Sequence, residues 1–220
     1  MKRVLLAALL CTPLVGAMAA SDNGSGAATG ADPFTQGNAE AGAAKAAPCV
    51  ACHGPGGNSS NPEWPKLAGQ NAAYTFEQLQ NFKTGVRKNP LMAPQAAALS
   101  EQDMRDLAAY FAAQPFSPGV ASEEAVATAE PLYRGGDAAR GIPACAACHV
   151  ANGAGVAASG YPRIGGQHAT YTANTLRLYR DFASSGEEMP SGNFGIMAAV
   201  AGKLSDEDID ALASYINGLQ

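Results

Sequence analysis

The chain has 220 residues, 47% hydrophobic and 15% charged, with a formal net charge of −5, so it is neither disordered nor charge-dominated. That acidic balance excludes a nucleic-acid binder, which needs a basic face. The apolar fraction leans on alanine, with only Phe 7, Tyr 7 and Trp 1, so two small domains would have thin side-chain cores that something else must fill.

Residues 1–20 read as a cleaved signal peptide: Lys2 and Arg3 lead an apolar stretch from Val4 to Val15, and Ala17-Met18-Ala19 is an A-x-A cleavage site. Cys11 leaves with it, because Leu9-Leu10 do not suit a lipid-attachment site. Export places the mature chain in the periplasm, an oxidising compartment. The apolar run is too short to span a bilayer, and no later run is long enough, so no transmembrane segment is expected in the mature chain. Residues 21–32 read as a flexible Gly/Ser/Ala tail.

The remainder is duplicated. Pro48 to His53 matches Ala144 to His149 at an offset of 96, and Trp64 to Gln70 matches Tyr161 to Gln167 at 97. Tyr74, Leu79 and Phe82 match Tyr171, Leu176 and Tyr179 at that same 97, and Leu99-Ser100 matches Leu204-Ser205 at 105. Blocks in one order with small length changes mean duplicated domains rather than a solenoid. The expected domains are 33–116 and 126–220, joined by a linker at 117–125 after the Pro115-Phe116-Ser117-Pro118-Gly119 punctuation.

Each half reads as helical. Middle helices are expected at Ala72–Thr84 and Ala169–Ala183. Closing helices open at Ser100 and Ser205, each three residues before a carboxylate, Asp103 or Asp208, in capping-box spacing. Met104, Leu107, Ala108 and Phe111 then recur at helical spacing, as do Ile209, Leu212, Ala213 and Ile216. No run alternates at period two. The fold class is all-α.

All four cysteines outside the leader lie in two Cys-x-x-Cys-His motifs: Cys49, Cys52 with His53, and Cys145, Cys148 with His149. That pattern reads as c-type haem attachment. Thiols three residues apart leave one helical turn together and can add to the two vinyl groups of one porphyrin, with the next histidine beneath the iron. A thioredoxin-like motif would need a βαβ setting, and structural zinc prefers paired ligands within one knuckle. Two haem c groups are expected, and a large flat apolar porphyrin is what the thin cores lack.

The sixth iron ligand follows by elimination. Met1 and Met18 leave with the signal peptide, and Met104 stands opposite Ile209, a core position. Met92 lies seven residues before Leu99 and Met197 seven before Leu204, so both are expected in the loop before the closing helix, in register. Met92 and Met197 are therefore the expected axial ligands, with Met189, unmatched in the first half, the competitor for the second site. His168 aligns with Asn71 and reads as a surface or capping residue. Pro65 and Pro162 follow their motifs at similar intervals; each either aims a carbonyl at the histidine Nδ1–H or forms a rigid turn. Lys66, Arg163, Tyr74 and Tyr171 recur as well and are candidates to meet haem propionates, with solvated surface the equal alternative for the basic pair.

These residues resemble the di-haem cytochromes c4, two tandem class I cytochrome c domains. The resemblance rests on Cys49–His53, Trp64–Gln70, Met92, Gly141–His149, Pro162–Gln167 and Met197–Tyr215, nearly the whole mature chain. It implies His/Met-ligated iron in each domain, haem edges facing each other across the interface, and periplasmic electron transfer with peripheral membrane association. An electron donor such as a quinol-oxidising complex and an acceptor such as a terminal oxidase are the implied redox partners. One departure is Glu187–Phe194, which lengthens the second ligand loop.

Thioether ligation favours ferrous iron and closes the sixth position, which suits a carrier that is not an enzyme. Competing readings are a di-haem peroxidase or thiosulfate-oxidising enzyme, or a cytochrome subunit fixed to a dehydrogenase. Residues 21–116 carry a net −2 and 117–220 a net −5, so the second half is expected to meet the more basic partner through salt-sensitive steering.

Overall fold

The computed structural model describes residues 32–189 and 192–220. The leader at 1–20, with Cys11, and the tail through residue 31 lie outside the described residues. The described chain forms α1 (Ala39–Lys45), α2 (Ala47–His53), α3 (Ala72–Thr84), α4 (Met92–Ala97) and α5 (Glu101–Ala112) in the first half. The second half holds α6 (Glu123–Gly135), α7 (Ala146–His149), α8 (Ala169–Ser184), α9 (Asn193–Ala201) and α10 (Asp206–Gly218). Two isolated bridge pairs, Asp137 with Ile142 and Val156 with Tyr161, are the extended pairings among the described residues.

The closing helices start as local chemistry dictates. Ser100 accepts from the Asp103 N–H while the Asp103 side chain accepts from the Ser100 N–H, and Ser205 and Asp208 repeat the box. A basic residue ahead of each haem motif then reaches the same carboxylate: Lys45 to Asp103 at 2.7 Å, Arg140 to Asp208 at 2.5 Å. In the first half α1 crosses α5 closely at Gly42, where a Cβ would sit 2.1 Å from the Asp106 carbonyl oxygen. The buried Asp106 carboxylate pins that crossing, accepting from Asn38 N–H, Lys45 Nζ and Gln102 Nε2. Burial pushes its pKa up, but those donors outweigh it and hold the group below its usual range.

The two cores differ. In the second half Leu132, Tyr133, Ile142, Leu204, Ile209, Leu212, Tyr215 and Ile216 form one buried cluster with four alanines, built where α10 meets α6 and α8. Its first-half counterpart joins only Ala46, Leu107 and Phe111. The segment read as linker, 117–125, becomes helical at Glu123, where Ser122 caps α6 by accepting from the Ala125 N–H. Ahead of it, the Gly119 N–H donates to the Asn217 carbonyl, tying the connection to α10.

The lengthened second ligand loop is partly absorbed into helices. α8 runs to Ser184, beyond the register of the end of α3, and α9 gains a turn before Met197. Phe194 packs edge-on against Tyr179 and Phe182, each at 5.0 Å between ring centroids. That aromatic packing ties the first turn of α9 to α8.

Candidate haem sites

Pro48 occupies the first turn of α2, where a missing N–H is harmless, and puts Cys49 and Cys52 on adjacent turns of one helix. α7 is only a single turn, with Cys145 at its start and His149 at its end. None of the four motif cysteines is in a disulfide, and burial raises the thiol pKa of Cys49 and pushes that of Cys145 up to about 11. The first thiol of each motif is therefore not poised as a redox thiolate.

Both motif histidines are buried and point the same way. His53 Nδ1 donates to the Pro65 carbonyl at 2.8 Å, and His149 Nδ1 donates to the Pro162 carbonyl at 3.1 Å. A carbonyl only accepts, so the proton is on Nδ1 and the Nε2 lone pair is free. Desolvation lowers both histidine pKa values, against a smaller upward pull from the carbonyl, so each ring is neutral near pH 7. A neutral imidazole held by a carbonyl, beside two free thiols, is the donor set that haem c requires. Among the described residues no cluster of three His, Cys, Asp or Glu forms a bare-ion site.

The methionines lie on helices rather than in loops. Met92 opens α4, its N–H held by Asn89 Oδ1 at 2.9 Å, and Met197 sits mid-way along α9. Both are half-buried, whereas Met189 is 43% exposed on the loop before α9. Leu91 and Gly192, the residues just before α4 and α9, offer no side-chain cap, which is why the sequence there reads as a loop.

One backbone feature separates the halves. After His53 the chain turns through Gly54 at φ 75, ψ 167; after His149 the same turn falls on Val150 at φ 57, ψ 171. That region suits glycine, and a β-branched residue there stores on the order of 1–3 kcal/mol. Tyr133, fully buried on α6, holds the strained residue by donating its hydroxyl to the Val150 carbonyl at 2.7 Å. Val150→Gly is expected to stabilise the second half by about 1 kcal/mol, after roughly 0.5–1 is lost to the freer unfolded chain. Urea unfolding followed by circular dichroism measures it, and a lower midpoint would contradict the strain.

Lys66 and Arg163 are half-buried and, among the described residues, have no acidic partner. Lys66 Nζ donates to the Gly166 and Ser117 carbonyls, Arg163 Nε to the Gly69 carbonyl at 3.1 Å, and the Arg163 guanidinium lies 4.1 Å over the Phe116 ring. Burial lowers both pKa values. The two halves thus clasp each other through reciprocal contacts. Gln70 accepts from Arg163 N–H and donates to the Arg163 carbonyl, both at 2.8 Å; Gln167 brackets Lys66 the same way, both at 2.9 Å. Asn71 Nδ2 donates to the Tyr161 carbonyl at 2.6 Å, and its register partner His168 donates from Nε2 to the Ser59 carbonyl at 2.8 Å. His168 is therefore an interdomain contact, and it offers no cap to α8. Tyr171 joins the interface too, its hydroxyl accepting from Arg87 Nη2 at 3.0 Å. The signal for the glutamines was their recurrence at the end of the Trp64–Gln70 and Tyr161–Gln167 blocks; Arg87 has no such signal.

The cytochrome c family profile matches residues 39–114 and again 138–220. A cytochrome c4 of Pseudomonas aeruginosa is 48% identical over 183 residues, covering 83% of this chain and 89% of that protein. The crystal structure of reduced recombinant cytochrome c4 from Pseudomonas stutzeri superposes with a TM-score of 0.78 at 45% identity, covering 84% of this chain and all of that one. A thiosulfate dehydrogenase electron acceptor of Stutzerimonas stutzeri is 36% identical over 193 residues, covering 86% of this chain and 85% of that protein. With one haem-attachment motif in each matched region, the chain belongs to the cytochrome c4 family and is a c-type cytochrome with two haem c groups that acts in electron transfer.

Proposed function

We propose that this protein is a periplasmic electron carrier, not an enzyme, with domains at 33–116 and 126–220 and iron ligated by His53 with Met92 and by His149 with Met197. The haem supplies a one-electron iron couple. The chain's own work is to anchor it through Cys49, Cys52, Cys145 and Cys148, to present a neutral imidazole nitrogen, and to close the opposite face with a thioether. The observation that carries this reading is the duplication: both halves hold a carbonyl-bound, buried histidine and, in matching register before the closing helix, a half-buried methionine. Met189, exposed on its loop, fits ligation less well than Met197.

A closed sixth position leaves no room for peroxide or another exogenous ligand, so electrons arrive and leave through the surface. Quinol-oxidising complexes as donors and terminal oxidases as acceptors suit an exported carrier whose net charge, once Lys2 and Arg3 leave with the leader, is −7. The thiosulfate dehydrogenase acceptor relative favours one second reading, in which the donor is a periplasmic dehydrogenase. The test is carbon monoxide binding to the reduced protein. Both haems are expected to exclude it near neutral pH, with no peroxide turnover above background; binding at one haem per chain would point to an open, enzymatic site.

A further inference from the structure

The interface does more than join the halves. The peptide group between Pro65 and Lys66 has hydrogen bonds at both ends: its carbonyl accepts from His53 Nδ1 at 2.8 Å, and its N–H donates to Gln167 Oε1 at 2.9 Å. The Pro162–Arg163 peptide repeats this, accepting from His149 Nδ1 at 3.1 Å and donating to Gln70 Oε1 at 2.8 Å. Each motif histidine thus heads a continuous chain of two hydrogen bonds, through one amide, that ends on a glutamine of the opposite half.

Hydrogen bonds in series through an amide strengthen one another, because donation by the N–H increases negative charge on the carbonyl oxygen. A more negative carbonyl draws the Nδ1 proton harder, and the imidazole becomes a stronger donor to a metal at Nε2. A stronger donor favours ferric over ferrous iron. We propose that Gln167 is a positioning residue for His53 and Gln70 for His149, so that each half tunes the reduction potential of the other half's haem. The proposal rests on the reading that these histidines ligate iron. Second bonds hold both glutamines in place: Gln167 Nε2 to the Lys66 carbonyl, Gln70 Nε2 to the Arg163 carbonyl, and each Oε1 to the following residue's own N–H.

The test is spectroelectrochemical titration of the full-length holoprotein, with Met92→His and Met197→His used to assign each haem's wave. Gln167→Leu is expected to raise the potential of the first haem, and Gln70→Leu that of the second. The expected change is about threefold in the reduction equilibrium, roughly 30 mV at 59 mV per tenfold for one electron. Gln167→Glu keeps an acceptor for the Lys66 N–H and adds negative charge, so it is expected to lower the same wave that Gln167→Leu raises. Loss of packing alone would move both variants in one direction. A shift confined to the haem of the glutamine's own half, equal shifts at both haems, or no shift would overturn the proposal. If the two methionine variants fail to move one wave each, it is the ligation reading that fails, and with it the ground of the proposal.

Discussion

Replacing Cys49 and Cys52 by alanine is expected to leave the first half largely unfolded, whereas Cys145→Ala with Cys148→Ala leaves a second half that keeps most of its helix. The physical reason is the imbalance between the protein cores. Eight large apolar or aromatic side chains share the second-half cluster, from Leu132 and Tyr133 to Tyr215 and Ile216. The first-half cluster has two, Leu107 and Phe111, with Phe82 and Met104 buried outside it. At about 1.5–3 kcal/mol for each fully buried side chain, the gap is on the order of 10 kcal/mol, an upper value that equals the whole stability of a typical small domain. The first half also leans on the Asp106 crossing, whose hydrogen bonds organise α1 against α5 without adding apolar area. Amide hydrogen exchange resolved by segment separates the halves in each variant. Equal protection of α5 and α10 in the variants without the attachment cysteines would contradict the imbalance.

The second large effect is on the methionines proposed as axial ligands. Met92→His is expected to lower the potential of the first haem by on the order of 0.2 V, and Met197→His that of the second, because a second imidazole favours ferric iron where a thioether favours ferrous. Met189→Leu is expected to leave both waves in place, since Met189 lies exposed on its loop. The result that would sink the pairing is a second-haem wave that follows Met189 instead of Met197. Phe194 makes that unlooked-for: its contacts with Tyr179 and Phe182 anchor the start of α9, so Met197 keeps its register four residues before Ala201, as Met92 does before Ala96. Ala96 and Ala201 are both fully buried, which fixes the same rotational setting for the two helices.

Much of this was legible because the chemistry is local. The capping boxes at Ser100 and Ser205, the middle helices, and the thiol and imidazole spacing are all set within a turn or two of chain. The two carbonyls that take the histidine protons lie 12 and 13 residues downstream, close enough for a recurring proline to suggest them, though a rigid turn explained the prolines equally well. Elsewhere the controlling contacts are distant. The α4 and α9 helices are held by packing against α3 and α8 rather than by propensity, so their sequences suggest loops. The roles of Lys66 and Arg163 depend on carbonyls about 100 residues away, and a basic residue in a repeat says nothing of which backbone it will meet. The start of α6 at Glu123 was legible in Ser122-Glu123-Glu124, a cap followed by first-turn carboxylates, but the preceding prolines and glycine masked it.

The central claim is that both irons are closed by methionine sulfur. The most direct measurement is the ferric absorption spectrum of the purified protein, with the weak red charge-transfer band of methionine–iron ligation quantified per haem. Intensity for two such centres per chain is the predicted result, and it fixes both sites as outer-sphere electron-transfer centres. Intensity for a single centre would contradict the account and leave one haem with an exchangeable sixth position.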